Sequence, residues 1–532
     1  MSERTPQIEG VKGVRDILPD EYDLRRRAWD VMRGVFDSFG YQGIELPGVE
    51  TLDLHLRKAG EGIRSTMYTL RDRGQRDLCL PPEFTASVAR MYIEKLEGQA
   101  RPFKLYYLQS AFRYDRPQKG RYRQFTQAGV ENLNAEGPQT DAEMIAIAMK
   151  SLDALGIADY EVVIGNIGIV LELLASKKME ERVRAFILQS LETMSKAPTR
   201  EAGVAEIKGR LADIGVDLET GADDDRNPRD SGPAGIERIL ALPEDASEQL
   251  VALVIEEIFG KTTGGGRDAA DIARNVLGKM QMRGQAAEVL DALDFIATLS
   301  GLSGKPDVAL KEAEALVAGK GLDLEPLTEL KDALGYLELF DVDWDKIKID
   351  FGFGRGLQYY TGIIFEVYIY SDNLGAEQKQ VCGGGRYDNL IADLGGSKTV
   401  PALGFSFGFE RVLLCVPPER FPPGGLDVFI AAVGDDAEFR VGLKAAGTFR
   451  AAGLATDIGP EGATFRKASK LADRLGARFT AFIGSDEVAG GFVTLRDMVS
   501  GEQEKLSADE AAERVKAVRA QEKTSGEGSG NA

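Results

Sequence analysis

Residues 109–132 read QSAFRYDRPQKGRYRQFTQAGVEN. An apolar run typical of a β-strand precedes this stretch, its middle contains the turn formers Asp, Pro and Gly, and its second half alternates as a returning strand would. The pattern predicts an antiparallel hairpin that turns near Pro117 and sets Arg113 roughly opposite Arg121. Because like charges that face each other across a strand pair repel, the hairpin indicates an anion bound between the two arginines.

The hairpin is basic within an acidic chain of 532 residues and formal net charge −20. Between residues 101 and 127 one acidic side chain, Asp115, accompanies seven basic ones: Arg101, Lys104, Arg113, Arg116, Lys119, Arg121 and Arg123. Alternate strand residues share a face. One face of the returning strand should therefore offer cations for phosphate, a ring for stacking, and an amide and a carboxylate for a polar ligand: Arg121, Arg123, Phe125, Gln127, Gly129 and Glu131. A solvated basic hairpin is the simpler interpretation of the charge run taken alone.

Length and composition describe a globular chain of several domains. A chain of 532 residues is too long for one core and should hold roughly two to four domains. No apolar run is long enough to cross a bilayer, and the N-terminus lacks an apolar signal segment, so we expect a cytoplasmic location. Three widely spaced cysteines suggest neither a disulfide framework nor a zinc site. The net charge argues against a sequence-blind nucleic-acid binder and permits a nucleic-acid partner only through segregated basic patches.

Four further segments accompany the hairpin: LPPEFT at residues 80–85, GRGLQYYTG at 354–362, GGGRYD at 383–388, and ALGF with FER between 402 and 411. With the hairpin as motif 2, they resemble the histidine–tRNA ligase (histidyl-tRNA synthetase) family of class II aminoacyl-tRNA synthetases, in a divergent bacterial type. The resemblance spans most of the chain in the family's order. It implies ATP-dependent activation of histidine to histidyl-adenylate, followed by transfer of histidine to the 3′ end of tRNA(His).

The resemblance also implies an α/β fold, in which an α+β catalytic domain with an antiparallel sheet carries a helical insertion and precedes a small α/β anticodon-binding domain. A Pro/Gly-rich linker at residues 417–425, followed by alternating short strands and helices, independently indicates a small C-terminal α/β unit with a mixed sheet. We expect these limits: catalytic domain, residues 1–152 (motifs 1 and 2) and 344–416 (motif 3); mainly helical insertion region, 153–343; anticodon-binding domain, 426–521; disordered tail, 522–532.

Two features bear on partners. Pro47 interrupts a predicted strand, and a proline there belongs on an edge or at an interface. The resemblance makes this strand motif 1 and implies a homodimer. In the C-terminal unit, the helix predicted over residues 465–475 carries Lys467, Lys470 and Arg474 at spacings of three and four. This stripe predicts either a contact with tRNA phosphates or a solvated helix face.

The resemblance implies an ATP site built from motif arginines. Arg113 and Arg355 would act as catalytic residues on the α-phosphate, and Arg121 would bind the γ-phosphate end. Adenine would lie between Phe125 and Arg411. Arginine suits these positions because it stays protonated and can bind two oxygens at once. Mg²⁺ would accompany ATP, with its ligands unassigned. No general base is needed, because the amino-acid carboxylate is already ionised.

For histidine, the resemblance implies an ammonium site and an imidazole site. Glu83, Thr85 and Gln127 would bind the α-ammonium group, although Glu83 could instead cap the helix predicted after it. Glu131 and three tyrosines would surround the imidazole. The complete set is Glu83, Thr85, Arg113, Gln127, Glu131, Arg355, Tyr359, Tyr360 and Tyr387. The chain's single histidine, His55, is interpreted as an ordinary surface or loop residue.

Three residues depart from the family's pattern: Phe84 stands for Gly, Thr126 for His and Gln358 for Asp. By strand parity Thr126 should point away from the ligand face, so its effect should be on packing. Phe84 and Gln358 are expected beside the substrate, where they would affect histidine recognition.

Two other functions fit part of the pattern. A regulatory paralogue of the synthetase, acting with ATP phosphoribosyltransferase in histidine biosynthesis, generally lacks the C-terminal domain and loses motif arginines. This chain has the C-terminal unit and keeps those arginines: Arg113, Arg121, Arg355 and Arg411. A class II synthetase for threonine, proline or glycine is the other alternative. The paired tyrosines and the GRYD sequence favour histidine, and the missing zinc cluster argues against threonine.

Overall fold

The structure is a computed structural model. It describes residues 8–99, 101–177, 286–352, 359–375, 379–422 and 425–527, together with single residues and short runs between 179 and 209. The chain divides into two compact units. The larger comprises Met1–Ile17 and Arg25–Arg420, and the smaller comprises Leu18–Leu24 and Phe421–Ala532.

Twelve strands are described in the larger unit: β1 (Gln42–Gly43), β2 (Glu50–Thr51), β3 (Tyr68–Arg71), β4 (Asp77–Leu80), β5 (Phe103–Phe112), β6 (Gln124–Leu133), β7 (Tyr160–Asn166), β8 (Ser303–Gly304), β9 (Ile347–Asp350), β10 (Ile363–Ile369), β11 (Gln380–Arg386) and β12 (Ala402–Gly408). Nine form one sheet of order β1-β5-β6-β12-β11-β10-β7-β9-β8, and three form a second sheet of order β2-β4-β3. Pairing is antiparallel from β5 through to β7. The predicted antiparallel catalytic sheet is therefore confirmed.

Ten helices are described up to residue 415: α1 (Pro19–Ser38), α2 (Leu52–Ala59), α3 (Thr85–Lys95), α4 (Pro138–Ala154), α5 (Gly168–Ser176), Ala286–Leu299, Pro306–Gly319, Glu325–Leu337, Leu390–Asp393 and Phe409–Cys415. Short 3₁₀ turns lie at Glu61–Thr66, Glu338–Phe340, Trp344–Lys346 and Pro418–Arg420. Helix α3 packs beside β5 in a core that contains Val88, Tyr92, Phe103 and Tyr107. Strand β6 is buried from Thr126 to its end, since it lies in the interior of the sheet.

Strands β5 and β6 form the predicted hairpin, but its register differs from the prediction. The Arg113 backbone N–H donates to the carbonyl of Arg123 at 2.8 Å, so Arg113 lies opposite Arg123 rather than Arg121. The tip is a tight turn in which Gln118 and Arg121 exchange backbone hydrogen bonds of 2.9 Å, and Gly120 takes a φ of +73° there. Because the chain reverses beyond Pro117, every opposing pair shifts from the predicted one.

The region 153–343, predicted to be a mainly helical insertion, also supplies β7 and β8 to the nine-stranded sheet. β7 pairs along its whole length with β10. The described remainder of this region is largely helical. Most of residues 206–285 of this region lie outside the described residues.

The smaller unit is a five-stranded mixed sheet with helices, as the alternation predicts. Its strands are β13 (Val428–Ala432), β14 (Thr456–Ile458), β15 (Phe479–Ile483), β16 (Val493–Asp497) and β17 (Gln503–Leu506), in the order β14-β13-β15-β16-β17. Its helices are Asp436–Ala451, Phe465–Arg474, Ser485–Gly490 and Ala508–Glu527. Strand β17 was not predicted. The last helix reaches Glu527, although the sequence predicts a disordered tail from residue 522.

Together the two units confirm the predicted α/β class. None of the described helices combines the length and the apolar character needed to cross a bilayer.

Candidate active site

A cavity of about 630 Å³ opens beside the hairpin, and we refer to it as the nucleotide cavity. All four residues predicted to bind ATP line it: Arg113, Arg121, Phe125 and Arg411. Gly383 and Gly384 of β11 and Glu366 of β10 also line it. The sheet order explains this assembly, since β6, β12, β11 and β10 are consecutive neighbours.

Arg113 is fixed from two directions. Its Nε donates to the Pro82 carbonyl at 2.9 Å, and its guanidinium lies 5.2 Å from the centre of the Phe125 ring. Burial lowers the pKa of Arg113 from its usual value, while Glu83 and Asp115 act in the opposite direction. A desolvated, oriented guanidinium interacts strongly with an anion that enters the cavity.

Arg411 and Arg121 approach the nucleotide cavity from other segments. Arg411 Nη1 donates to the Gln380 carbonyl at 2.6 Å, which ties the helix Phe409–Cys415 to β11. Arg121 pairs with Asp115 at 2.6 Å, so its charge is partly balanced within the hairpin. Arg123, predicted on the same face, does not line the cavity. It lies 4.1 Å from the centre of the Tyr114 ring and donates to the Asp115 carbonyl.

A second cavity of about 530 Å³, the amino-acid cavity, adjoins the first. It is lined by most of the residues predicted to bind histidine: Glu83, Thr85, Arg113, Gln127, Tyr359, Tyr360 and Tyr387. Arg113, Gln127 and Tyr360 line both cavities. Two ligands bound in these cavities would therefore meet beside Arg113.

Glu131 lies behind the amino-acid cavity rather than on its lining. It is 1% exposed and accepts hydrogen bonds from Thr85 Oγ1 at 2.9 Å, from Tyr107 Oη at 3.3 Å and from the Tyr387 hydroxyl. The Tyr107 phenol reaches it across Gly129, where a Cβ would collide with that ring. Burial raises the pKa of Glu131 to about 7, although the Tyr387 and Thr85 hydroxyls act to lower it.

Glu83 caps a helix and also borders a cavity. It accepts from the backbone N–H of Thr85 at 2.9 Å and of Ala86 at 3.4 Å, which caps the start of α3. The same carboxylate lines the amino-acid cavity, where Lys58 Nζ lies 2.8 Å from it and His55 Nδ1 lies 3.4 Å from it. Burial acts to raise the pKa of Glu83, but Lys58 and His55 outweigh burial and hold this pKa well below its usual range.

The interpretation of His55 as a surface residue is wrong. His55 is 1% exposed and lines the amino-acid cavity together with Lys58. Neither residue was predicted to lie at the site. The available signal was the spacing of three in α2 from Leu52 to His55 to Lys58, which is typical of one helix face, and all three are buried.

The two departures that the structure describes, Phe84 and Thr126, line neither cavity. The Thr126 hydroxyl accepts from Arg25 Nη2 at 2.5 Å, and its backbone N–H donates to Glu410 at 2.9 Å, so it faces α1 as strand parity suggested. Phe84 does not line either cavity, contrary to expectation. It is fully buried and packs edge-on against Tyr107, with ring centres 5.6 Å apart.

The predicted catalytic residue Arg355 and the departure Gln358 lie outside the described residues. The segment after them is described and well anchored. Thr361 donates its backbone N–H to the Arg386 carbonyl at 2.8 Å and its hydroxyl to Asp388 at 2.9 Å. Arg386 in turn forms an ion pair with Asp141 at 2.5 Å. These contacts fix Tyr359, Tyr360 and Tyr387 around one end of the amino-acid cavity.

Among the described residues, no group of three or more His, Cys, Asp or Glu side chains is arranged to hold a metal ion.

In the smaller unit, the predicted basic stripe lies on the helix Phe465–Arg474. Its members Lys467, Lys470 and Arg474 are exposed.

Comparisons with known proteins give one consistent result. A family model described as histidyl-tRNA synthetase matches residues 13–214 and 268–412, and one described as anticodon binding domain matches residues 427–518. The chain is 31% identical to the histidine–tRNA ligase of Pyrococcus abyssi over 512 residues, which are 96% of this chain and 99% of that protein. It is 33% identical to the corresponding enzyme of Pyrococcus horikoshii over 513 residues, 96% of this chain and 99% of that protein.

A solved structure of apo histidyl-tRNA synthetase from S. aureus shares the fold, with a TM-score of 0.62 and 24% identity, covering 96% of this chain and all of that one. The predicted bacterial type stays a prediction. The match of the family model over most of the chain and the full-length similarity to these ligases agree with the motifs in the two cavities. The chain belongs to the histidyl-tRNA synthetase family.

Proposed function

We propose that this chain is a histidine–tRNA ligase, which activates histidine with ATP to histidyl-adenylate and transfers histidine to the 3′ end of tRNA(His). The observation that carries the proposal is the pair of adjoining cavities that share Arg113. One contains the residue types that a nucleotide requires and the other those that an amino acid requires. Membership of the family supports the same reaction.

Adenylate formation brings two anions together. The histidine carboxylate attacks the α-phosphorus of ATP, pyrophosphate leaves, and negative charge grows on the oxygens between them. Arg113 borders both cavities and is held by Pro82 and Phe125, so its guanidinium is oriented before the reaction begins. Fixed cations stabilise such charge without reorganisation, and the ionised carboxylate needs no base. Arg355 is proposed as the second cation on the α-phosphate, by resemblance.

The rest of ATP follows the shape of the nucleotide cavity. Adenine stacks on Phe125 with the Arg411 guanidinium opposite, and Arg121 binds the γ-phosphate end. Arg121 pairs with Asp115, so to bind phosphate it must either leave Asp115 or contact both groups at once.

Mg²⁺ enters with ATP as the counter-ion of its phosphates. Magnesium bound to nucleotides commonly uses one or two protein carboxylates and keeps several waters. Glu366 fits this role, because it is a buried carboxylate on the wall of the nucleotide cavity, oriented by Gln380 Nε2 at 2.7 Å and by the Tyr368 hydroxyl.

Histidine occupies the amino-acid cavity. Glu83, Thr85 and Gln127 bind its α-ammonium group, and Arg113 with Arg355 binds its carboxylate. Tyr359, Tyr360 and Tyr387 enclose the imidazole. Glu131 acts from behind this wall through its hydrogen bonds with Thr85 and Tyr387, and it accepts an imidazole N–H only where one of these hydroxyls gives way.

The smaller unit binds the anticodon arm of tRNA(His). Its match to an anticodon-binding family model supports this assignment, and the exposed stripe of Lys467, Lys470 and Arg474 supplies phosphate contacts. We further propose a homodimer built on the catalytic domains, a cytoplasmic location, and the domain limits given by the sequence, except for the disordered tail, because the last helix reaches Glu527.

The regulatory paralogue is less well supported. It has no need of a complete nucleotide cavity or of an anticodon-binding unit, whereas Arg113, Arg121 and Arg411 line such a cavity here and residues 427–518 match that unit. A ligase for threonine, proline or glycine is disfavoured by the family match.

The test is pyrophosphate exchange into ATP, measured with each amino acid in turn. Only histidine should support rapid exchange. Arg113→Ala should reduce the exchange rate roughly 10²-fold to 10³-fold, the usual cost of one lost cation or donor at a developing oxyanion. The matched control is Arg116→Ala, which removes an exposed arginine of the same hairpin and should keep the wild-type rate. Exchange with another amino acid in preference to histidine would contradict the proposal.

A further inference from the structure

Lys58 lies between two walls of the amino-acid cavity. Its Nζ is 2.8 Å from Glu83 Oε2 and 4.0 Å from the centre of the Tyr359 ring. Its side chain is only 5% exposed. Lysine is seldom buried unless it is paired, and here it is paired twice, with a carboxylate at the start of α3 and with the aromatic ring of a distant segment. Lys58 therefore joins two parts of the cavity wall that are far apart in sequence.

The contacts of Glu83 distinguish its two oxygens. Oε2 accepts from Lys58 at 2.8 Å and from the Thr85 backbone N–H at 2.9 Å. Oε1 has only longer contacts, with the Ala86 N–H and with His55 Nδ1, both at 3.4 Å. A carboxylate has about four lone-pair positions. Oε1 therefore keeps the capacity for a short hydrogen bond from a cation that enters the cavity.

We propose that Lys58 is a positioning residue of the amino-acid cavity: it holds Glu83 ionised and oriented, so that Oε1 receives the substrate α-ammonium group. This role deepens the proposed function and rests on it, because Glu83 is the residue assigned to the ammonium group. The cation–π contact with Tyr359 adds a second effect, since it fixes the tyrosine that borders the same ligand. Lys58 need not touch histidine to act in this way.

The charged and titratable groups that face Glu83 come from several elements: His55 and Lys58 on α2, Tyr107 on β5, Arg113 after β5, Glu131 on β6, and Tyr359. Burial favours the protonated, neutral form of Glu83, while Lys58 is the strongest influence that favours the ionised form. Without Lys58, the carboxyl should take up a proton at a higher pH than before. A protonated Glu83 would bind an ammonium group poorly.

The experiment measures histidine-dependent pyrophosphate exchange in the full-length chain, for the wild type and Lys58→Met, at several values between about pH 6 and 8.5. The quantity of interest is the ratio of the two KM values for histidine at each pH. Free histidine titrates in the same range, but its titration cancels in this ratio. We expect kcat to change little, because loss of an ammonium contact weakens ground-state and transition-state binding alike.

We expect the KM ratio to be roughly tenfold to a hundredfold at the acid end, the range typical for loss of a charge-assisted hydrogen bond. It should fall several-fold as the pH rises and Glu83 ionises again. Lys104→Met is a matched control, because Lys104 Nζ also lies 2.8 Å from a glutamate, Glu143, and 5.3 Å from the centre of a tyrosine ring, Tyr41, away from both cavities. Its KM ratio should stay near one.

A KM ratio that does not depend on pH would overturn the proposal, since it would mean that Lys58 contributes only packing. If Lys58→Met does not fold, Lys58→Gln keeps a hydrogen-bond donor beside Glu83 without the charge, and the same dependence on pH is required of it. The experiment distinguishes failure of this proposal from failure of the proposed function. Loss of histidine-dependent exchange in the wild type would contradict the function itself, whereas a flat ratio in an active enzyme contradicts only the role of Lys58.

Discussion

Replacing Glu131 by glutamine should change how the stability of the larger unit depends on pH. The carboxyl of Glu131 is 1% exposed and is enclosed by the hydroxyls of Thr85, Tyr107 and Tyr387. Burial raises its pKa to about 7, against an ordinary value of about 4.3 for glutamate. Glutamine has the shape of the protonated carboxyl and does not titrate, so it removes the effect of pH with little change in packing.

The direction in which stability changes with pH follows from which state, folded or unfolded, keeps the proton on Glu131. Between the two pKa values the folded state keeps the proton on Glu131 while the unfolded chain has lost it. The free energy of unfolding therefore falls as pH rises through this interval. The slope approaches about 1.4 kcal/mol per pH unit, which amounts to about 3 kcal/mol over the whole interval. Glu83 affects the free energy of unfolding in the opposite direction, because folding lowers its pKa. Its contribution to stability is lost only when the pH falls below this interval.

The assay is urea unfolding at several pH values, followed by tryptophan fluorescence. Both tryptophans, Trp29 and Trp344, lie in the larger unit, so the signal reports that unit alone. The stability of Glu131→Gln relative to the wild type should rise by about 3 kcal/mol from about pH 4.5 to 7.5. Other titrating groups cancel in this difference. Glu136→Gln, an exposed control after the same strand, should give a constant difference. A constant difference for Glu131→Gln as well would refute the reasoning.

Three further predictions concern catalysis, tRNA and assembly. Arg355→Ala should slow adenylate formation in single turnover by roughly 10²-fold to 10³-fold and weaken ATP binding far less; a loss confined to ATP affinity would exclude a transition-state role. A Lys467→Ala, Lys470→Ala double variant should raise the KM for tRNA and flatten its salt dependence while leaving pyrophosphate exchange unchanged. The control for the double variant is Lys444→Ala, which replaces an exposed lysine on another helix of the same unit. Unchanged tRNA kinetics in the double variant would mean that the stripe is a solvated helix face. A chain that ends near Val416 should still sediment as a dimer, and a monomer would place the interface in the C-terminal unit.

The hairpin that carries part of the nucleotide cavity could be predicted from local signals, whereas the ATP-binding roles, including that of Arg411, came from the resemblance to the family. The hairpin follows from strand alternation and turn formers within one stretch, and Arg113, Phe125 and Gln127 lie on it close together. The exact pairing could not be predicted in the same way. The tip turn forms at Gly120, beyond Pro117. The ion pair between Asp115 and Arg121 depends on the geometry of that turn.

Features that depend on distant packing were missed for a physical reason. Whether a polar residue on α2 faces solvent or a cavity depends on what packs against the helix, and the sequence of α2 does not contain that information. His55 and Lys58 are buried because α3 and the Tyr359 segment lie against them. Similarly, β7 pairs with β10 across the whole insertion region, so a local pattern alone could not assign it to the central sheet.

The most direct test of the proposed function is aminoacylation of purified tRNA by the full-length chain, with labelled histidine and ATP. The proposed function predicts labelled histidine esterified to the 3′ end of tRNA(His), with no comparable charging by threonine, proline or glycine. The reaction should depend on Arg113, a buried cation that borders both cavities. Absence of histidyl-tRNA from a folded, ATP-binding protein, together with stimulation of an ATP phosphoribosyltransferase, would contradict it and favour the regulatory alternative.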